Sequence, residues 1–135
     1  MDRHIRLYNF FCNAQYTDMD IYLRDSVLSV HKVVMAAASP YLEEVVDCST
    51  GHISVHFPSY STNVFMAFVR YAYLGDVLFP TRLREKVMVL ARLLGVEAEI
   101  RRGIPSSMER PESDTDSDQS STPMRLPVAR PAEHQ

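Results

Sequence analysis

The stretch from Asp18 to Val46, DMDIYLRDSVLSVHKVVMAAASPYLEEVV, constrains the fold most, because its hydrophobic period changes partway along. Met19, Ile21 and Leu23 alternate with Asp18, Asp20 and Tyr22, the period-2 pattern of a strand with one buried face. Arg24-Asp25-Ser26 supplies a turn, and Leu28 and Val30 resume the alternation, so residues 18–30 read as a hairpin. The period then lengthens. Val30, Val33, Val34 and Ala37 fall on one helical face, through an alanine run of high helix propensity. Ser39 is placed to cap a second helix with Pro40 at its first position, and Tyr41, Leu42, Val45 and Val46 form that helix's apolar stripe.

Upstream, residues 3–14 (RHIRLYNFFCNA) carry Ile5, Leu7, Tyr8, Phe10, Phe11, Cys12 and Ala14. As a helix this segment is apolar nearly all round, and such a helix is buried on two sides. It either fills a groove on its own domain or packs against a second subunit. Downstream of the loop DCSTGH, Ile53, Val55 and Phe57 alternate with Ser54 and His56 as a third strand. Pro58 and the cluster Ser59 to Asn63 end it and offer caps for a helix whose Phe65, Phe68, Val69, Ala72 and Tyr73 share one face. Gly75 stops that helix, and Val77-Leu78-Phe79 is compatible with a short strand. Thr81 is a candidate cap for a further helix, with Leu83, Val87, Leu90, Ala91 and Leu94 as its buried stripe and Gly95 as its stop. Glu97 to Arg102 adds one or two turns.

Beyond Gly103 the composition changes. Residues 105–135 hold five of the eight prolines, eight Ser or Thr and almost no aliphatics, so they bury too little apolar surface to offset their ordering entropy. The expected division is one domain over 1–104 and a disordered Ser-, Pro- and acid-rich tail over 105–135. A domain of that size buries roughly 65% of its unfolded surface.

Several function classes are disfavoured by composition. No apolar run approaches the ~18 residues of a membrane span, and no signal peptide is visible. Cys12 and Cys48 lack paired spacing, which argues against a disulfide framework and for a reducing compartment. A formal charge of −3 argues against direct nucleic-acid binding by the whole domain. The locally basic stretch 82–102, with Arg82, Arg84, Lys86, Arg92, Arg101 and Arg102 against Glu85, Glu97 and Glu99, reads as a solvated helix face.

Nor does a catalytic constellation emerge. The four glycines stand alone, so there is no phosphate-cradling loop, and there is no Gly-x-Ser-x-Gly elbow. His52 and His56 have a spacing that suits a metal on a helix, but here they flank or occupy a strand, where four residues span roughly 13 Å. No metal or cofactor is expected. His31, at a helix start, reads as a packed, hydrogen-bonded side chain rather than a base. In the tail, ESDTDSDQSSTP places acids three residues after Ser113 and Thr115, which makes these two candidate sites for an acidophilic kinase. The alternative for that segment is a plain solvating tail.

The order of these elements and their residues resembles the BTB/POZ domain family. Three blocks carry the resemblance: Asp18-Met19 with Val30-His31-Lys32 and Ala36-Ala37-Ala38-Ser39-Pro40-Tyr41-Leu42; Phe65 to Phe79; and Val89 to Val96. They cover about residues 4–102. The combination of Asn9-Phe10-Phe11 with Ser39-Pro40-Tyr41 is similar to BTB domains of arthropod chromatin and zinc-finger proteins. The resemblance implies an α+β fold, a small mixed sheet flanked by five or six helices. It implies a non-enzymatic protein–protein interaction module that homodimerises, or pairs with another BTB protein, and works with chromatin and transcription regulators in the nucleus, with the cytoplasm as the alternative. It places the dimer interface on Ile5, Leu7, Tyr8, Phe10 and Phe11, and a charged pocket on Asp18 and Lys32. A second reading is a substrate adaptor of a cullin-3 ubiquitin ligase. The loop after Val46 is short and lacks the Glu of the cullin contact motif, and no helical extension is expected after Gly103, so both features count against it.

Overall fold

A computed structural model describes residues 2–105 and the pair 130–131. Residues 106–129 and 132–135, with Ser113, Thr115 and most of the expected tail, lie outside the described residues. The hairpin is as the alternation requires: β1 (Met19–Leu23) pairs antiparallel with β2 (Ser26–Val30), Met19 opposite Val30 and Tyr22 opposite Val27. The chain then crosses over through two short helices, α2 (Lys32–Ala38) and α3 (Pro40–Asp47), and returns as β3 (Ile53–Phe57), parallel to β1. A two-residue strand, β4 (Arg130–Pro131), lies on the far side of β2, so the order is β3-β1-β2-β4. The architecture is α+β with a small mixed sheet.

Helices cover this sheet. The central one is α4 (Thr62–Leu74), in which Val64 to Val69 are all buried together with Tyr73. Against it pack α1 (Arg3–Cys12), α2 and α5 (Arg84–Leu94), while α6 (Glu97–Gly103) packs on α5. The stripe Leu83, Val87, Leu90, Ala91 and Leu94 is buried as its spacing requires. Ser39 caps α3 by accepting from the Leu42 N–H at 3.0 Å, and its hydroxyl also donates to the Leu94 carbonyl at 2.8 Å. One fully buried serine thereby ties α3 to the end of α5.

Three local expectations are corrected. The face expected on α2 is rotated: Val33 is 73% exposed and Ala37 is exposed, while Val34 and Met35 are buried. Val30 belongs to the strand, so the helix starts at Lys32 and its buried stripe is counted from there. Val77-Leu78-Phe79 forms no strand. Its burial alternates, but Val77 lies under the last turn of α6, so close that a Cβ on Gly103 would stand 2.6 Å from it. Thr81 does not cap α5; it opens a single 3-10 turn, Thr81–Leu83, from which α5 continues.

Candidate interaction surface

The surface is assembled around α1. Phe11, expected at an interface, is fully buried within its own chain, 5.2 Å from the ring of Tyr73 on α4 and 5.6 Å from that of Tyr8. Leu7, Tyr8 and Cys12 are half-buried around it and pack on the same core. Burial raises the Tyr8 hydroxyl above its ordinary pKa, with the neighbouring Cys12 adding to the rise. Burial likewise raises the Cys12 thiol, which keeps it protonated and unreactive near neutrality. One side of α1 is therefore core.

The other sides face out. Ile5 is 45% exposed, and Phe10 is half-buried, edge-on to Tyr16 at 5.0 Å between ring centroids. Tyr16 is 76% exposed and sits at φ +64°, a left-handed conformation that a bulky residue adopts only when its surroundings hold it. What holds this loop is His31. Its Nε2 lies 2.7 Å from the Gln15 carbonyl, and its Nδ1 lies 2.7 Å from the Tyr73 hydroxyl. A carbonyl can only accept, so Nε2 carries the proton, and Nδ1 accepts from the Tyr73 O–H. The Tyr73 oxygen in turn accepts from the His31 backbone N–H at 3.1 Å. His31 is thus the packed, hydrogen-bonded residue that its position suggested. It ties the loop after α1 to the start of α2, where Val33 stands exposed.

Asp18 and Lys32 meet, but through the backbone. The Asp18 carboxylate accepts from the Lys32 N–H at 2.7 Å, which satisfies one of the orphan donors in the first turn of α2 and places negative charge at its positive end. Both residues are half-buried. Further along β1 and β3, His52 contacts Asp20 at 3.1 Å, while His56 stacks on Tyr22 at 4.6 Å between ring centroids, so the two histidines are engaged separately. Among the described residues no cluster of His, Cys, Asp or Glu could hold a metal ion. On the basic stretch, Arg92 and Arg101 both donate to Glu97, whose carboxyl is held below its usual range by those bonds. A groove of about 640 Å³ between the β1–β2 turn and α5 mixes Arg24, Arg82 and Lys86 with Asp25 and Glu85.

Two features escaped sequence reasoning. Tyr16 carried no periodic signal. The Tyr73–His31–Gln15 chain left one clue: a tyrosine on a buried helical face needs a hydrogen-bond partner, and a histidine at a strand-to-helix junction can supply it.

An α+β module that carries an apolar surface on a helix at its flank is suited to holding other proteins. A family model for the BTB/POZ domain matches residues 7–102, and the chain belongs to that family. It is a protein–protein interaction module. Among solved structures it is similar to the BTB domain of zebrafish PATZ1, with 23% identity over 73% of this chain and 82% of that one and a TM-score of 0.63; that likeness concerns the fold. The comparison with curated proteins found no match. Among the described residues no helix is long and apolar enough to cross a membrane.

Proposed function

We propose that the domain homodimerises, with the outward sides of α1 and the loop behind it at the interface. The observation that carries this is the set of apolar side chains left exposed or half-buried on α1, on the loop behind it and at the start of α2: Ile5, the Phe10–Tyr16 pair and Val33. Burying a large apolar side chain contributes roughly 1.5–3 kcal/mol, and a self-complementary patch is counted twice across a two-fold axis. Leu7 and Tyr8 would contribute their remaining exposed edges. Phe11 would act indirectly, by fixing α1 to α4. The Asp18–Lys32 pair would form a charged pocket beside this interface.

The same resemblance supports a role in chromatin and transcription regulation, in the nucleus. Sedimentation of the full chain at micromolar concentration tests the pairing: a dimer is expected, and a monomer for the combined change of Ile5, Phe10 and Tyr16 to Ser. A clean wild-type monomer would defeat the proposal. A nuclear-excluded fluorescent fusion would defeat the chromatin role, and retention by the cullin-3 N-terminal region would favour the adaptor reading.

A further inference from the structure

One edge of the sheet is open. In the order β3-β1-β2-β4 the outer side of β2 is met by β4, whereas β3 pairs with β1 alone. The parallel ladder decides which groups face out. The Ile53 N–H donates to the Asp18 carbonyl, so Ile53, Val55 and Phe57 turn their backbone groups towards β1, and Ser54 and His56 turn theirs away from it. Among the described residues no backbone group bonds to them there. Natural edges are blunted by charged side chains, proline or a bulge. Residues 53–57, ISVHF, hold no formal charge and no proline, and the register from Met19–Ile53 to Leu23–Phe57 runs without a bulge. Cover on the helical side is incomplete too: Ile53 and Val55 pack on the core yet stay half-buried, while Ser54 and His56 are exposed on the other face.

We propose that the open edge of β3 pairs antiparallel with the same edge of a second copy, about a two-fold axis at Val55. That axis sets Ser54 opposite the second copy's His56, and His56 opposite its Ser54, so every outward N–H and carbonyl on both strands is used. On the helical side it sets Val55 beside Val55 and Ile53 beside Phe57, apolar against apolar. The sequence makes a second copy the fitting occupant: the apolar and polar positions of ISVHF are symmetric about Val55, so the strand complements itself in reverse. An axis at His56 would instead set Ser54 opposite Pro58, which has no N–H to give. A five-residue edge is far smaller than a standard interface, so the contact is weak, with a Kd of about 1 mM or somewhat below. At micromolar concentration the pairing through α1 proposed above stands alone. Each dimer of that kind carries two open edges, through which dimers link further where they are locally concentrated.

Amide hydrogen exchange in the full chain with Ile5, Phe10 and Tyr16 changed to Ser isolates this contact from the one on α1. Exchange at Ser54 and His56 should be about twofold to fivefold slower at about 1 mM than at about 20 µM. The Phe68 amide in α4 should stay strongly protected in every sample, which monitors folding. Adding Ser54→Pro removes an outward N–H and no bond to β1, so the concentration dependence at His56 should vanish. His56→Pro, read at Ser54, is the mirror case. Equal exchange at both concentrations without the proline would overturn the proposal, as would slowing that survives S54P. So would full protection at the lower concentration, which would mean that the edge is covered within its own chain. A wild type that sediments as a monomer at micromolar concentration would defeat the α1 dimer and leave this test standing.

Discussion

His31 joins two other parts of the molecule to its own strand-to-helix junction with three polar atoms, its N–H and Nδ1 on the buried Tyr73 hydroxyl and its Nε2 on the part-buried Gln15 carbonyl. Removing the shared hydroxyl, Tyr73→Phe, strands the His31 N–H and Nδ1 in the interior, and should lower stability by about 1–3 kcal/mol in urea denaturation. Burial also raises the Tyr73 hydroxyl above its ordinary value of 10.0. The native state therefore resists an ionisation that the unfolded chain undergoes. The linked stability is fully present below pH 10 and should be lost as pH rises above it, at up to about 1.4 kcal/mol per pH unit. The Phe variant should lack that alkaline slope while it remains folded. At Asp18 the bond is to a backbone donor. Asp18→Asn keeps an accepting oxygen and should cost little, whereas Asp18→Ala should cost about 1 kcal/mol, read from the same denaturation midpoints. His31 was visible in the sequence as a polar group at a helix start, and the family resemblance already set Asp18 beside Lys32. The partners of His31 were not visible, since Tyr73 and Gln15 are brought in by α4 and by a loop whose left-handed Ala14 and Tyr16 follow no sequence rule.

Helix and strand periods located the elements well wherever an element has one wet and one dry side. β1 and β3 are such cases, and so is α5 apart from the buried Met88, whereas in β2 Ser29 is buried against the alternation. α2 was misread because the strand's last valine was counted into the helical stripe. Val77 to Phe79 was misread because alternation reports burial, and a lone extended segment packed under a helix alternates just as a strand does. Stop signals served better. Gly95 ends α5 at φ +78°, and the next N–H, that of Val96, reaches back to the Ala91 carbonyl at 2.8 Å, the closing bond of a left-handed helix stop. An alanine there would add strain and place its Cβ 3.4 Å from the ring of Pro40 on α3. Gly95→Ala should therefore lower stability by about 1–2 kcal/mol, measurable as a shift in the urea midpoint at unchanged m-value.

On the scale of the whole molecule, family and fold were legible because three separated blocks recur in order, and a 96-residue arrangement is harder to mimic than any one motif. What remained hidden was the division of α1. Its sequence is apolar nearly all round, and periodicity alone does not say which of its apolar sides is core. If the uncovered side is closed by a second copy, folding and pairing are linked. The melting temperature of the full chain should then climb with protein concentration, and for the Ile5, Phe10 and Tyr16 triple Ser variant it should not. A further consequence concerns synthesis. The seat for Phe11 is built by Tyr73, about 60 residues later in the chain. A ribosome working at 5–20 residues per second leaves α1 without that seat for roughly 3–12 s. During those seconds the apolar side of α1 has no seat to pack into, which leaves it open to chaperones that hold exposed apolar segments.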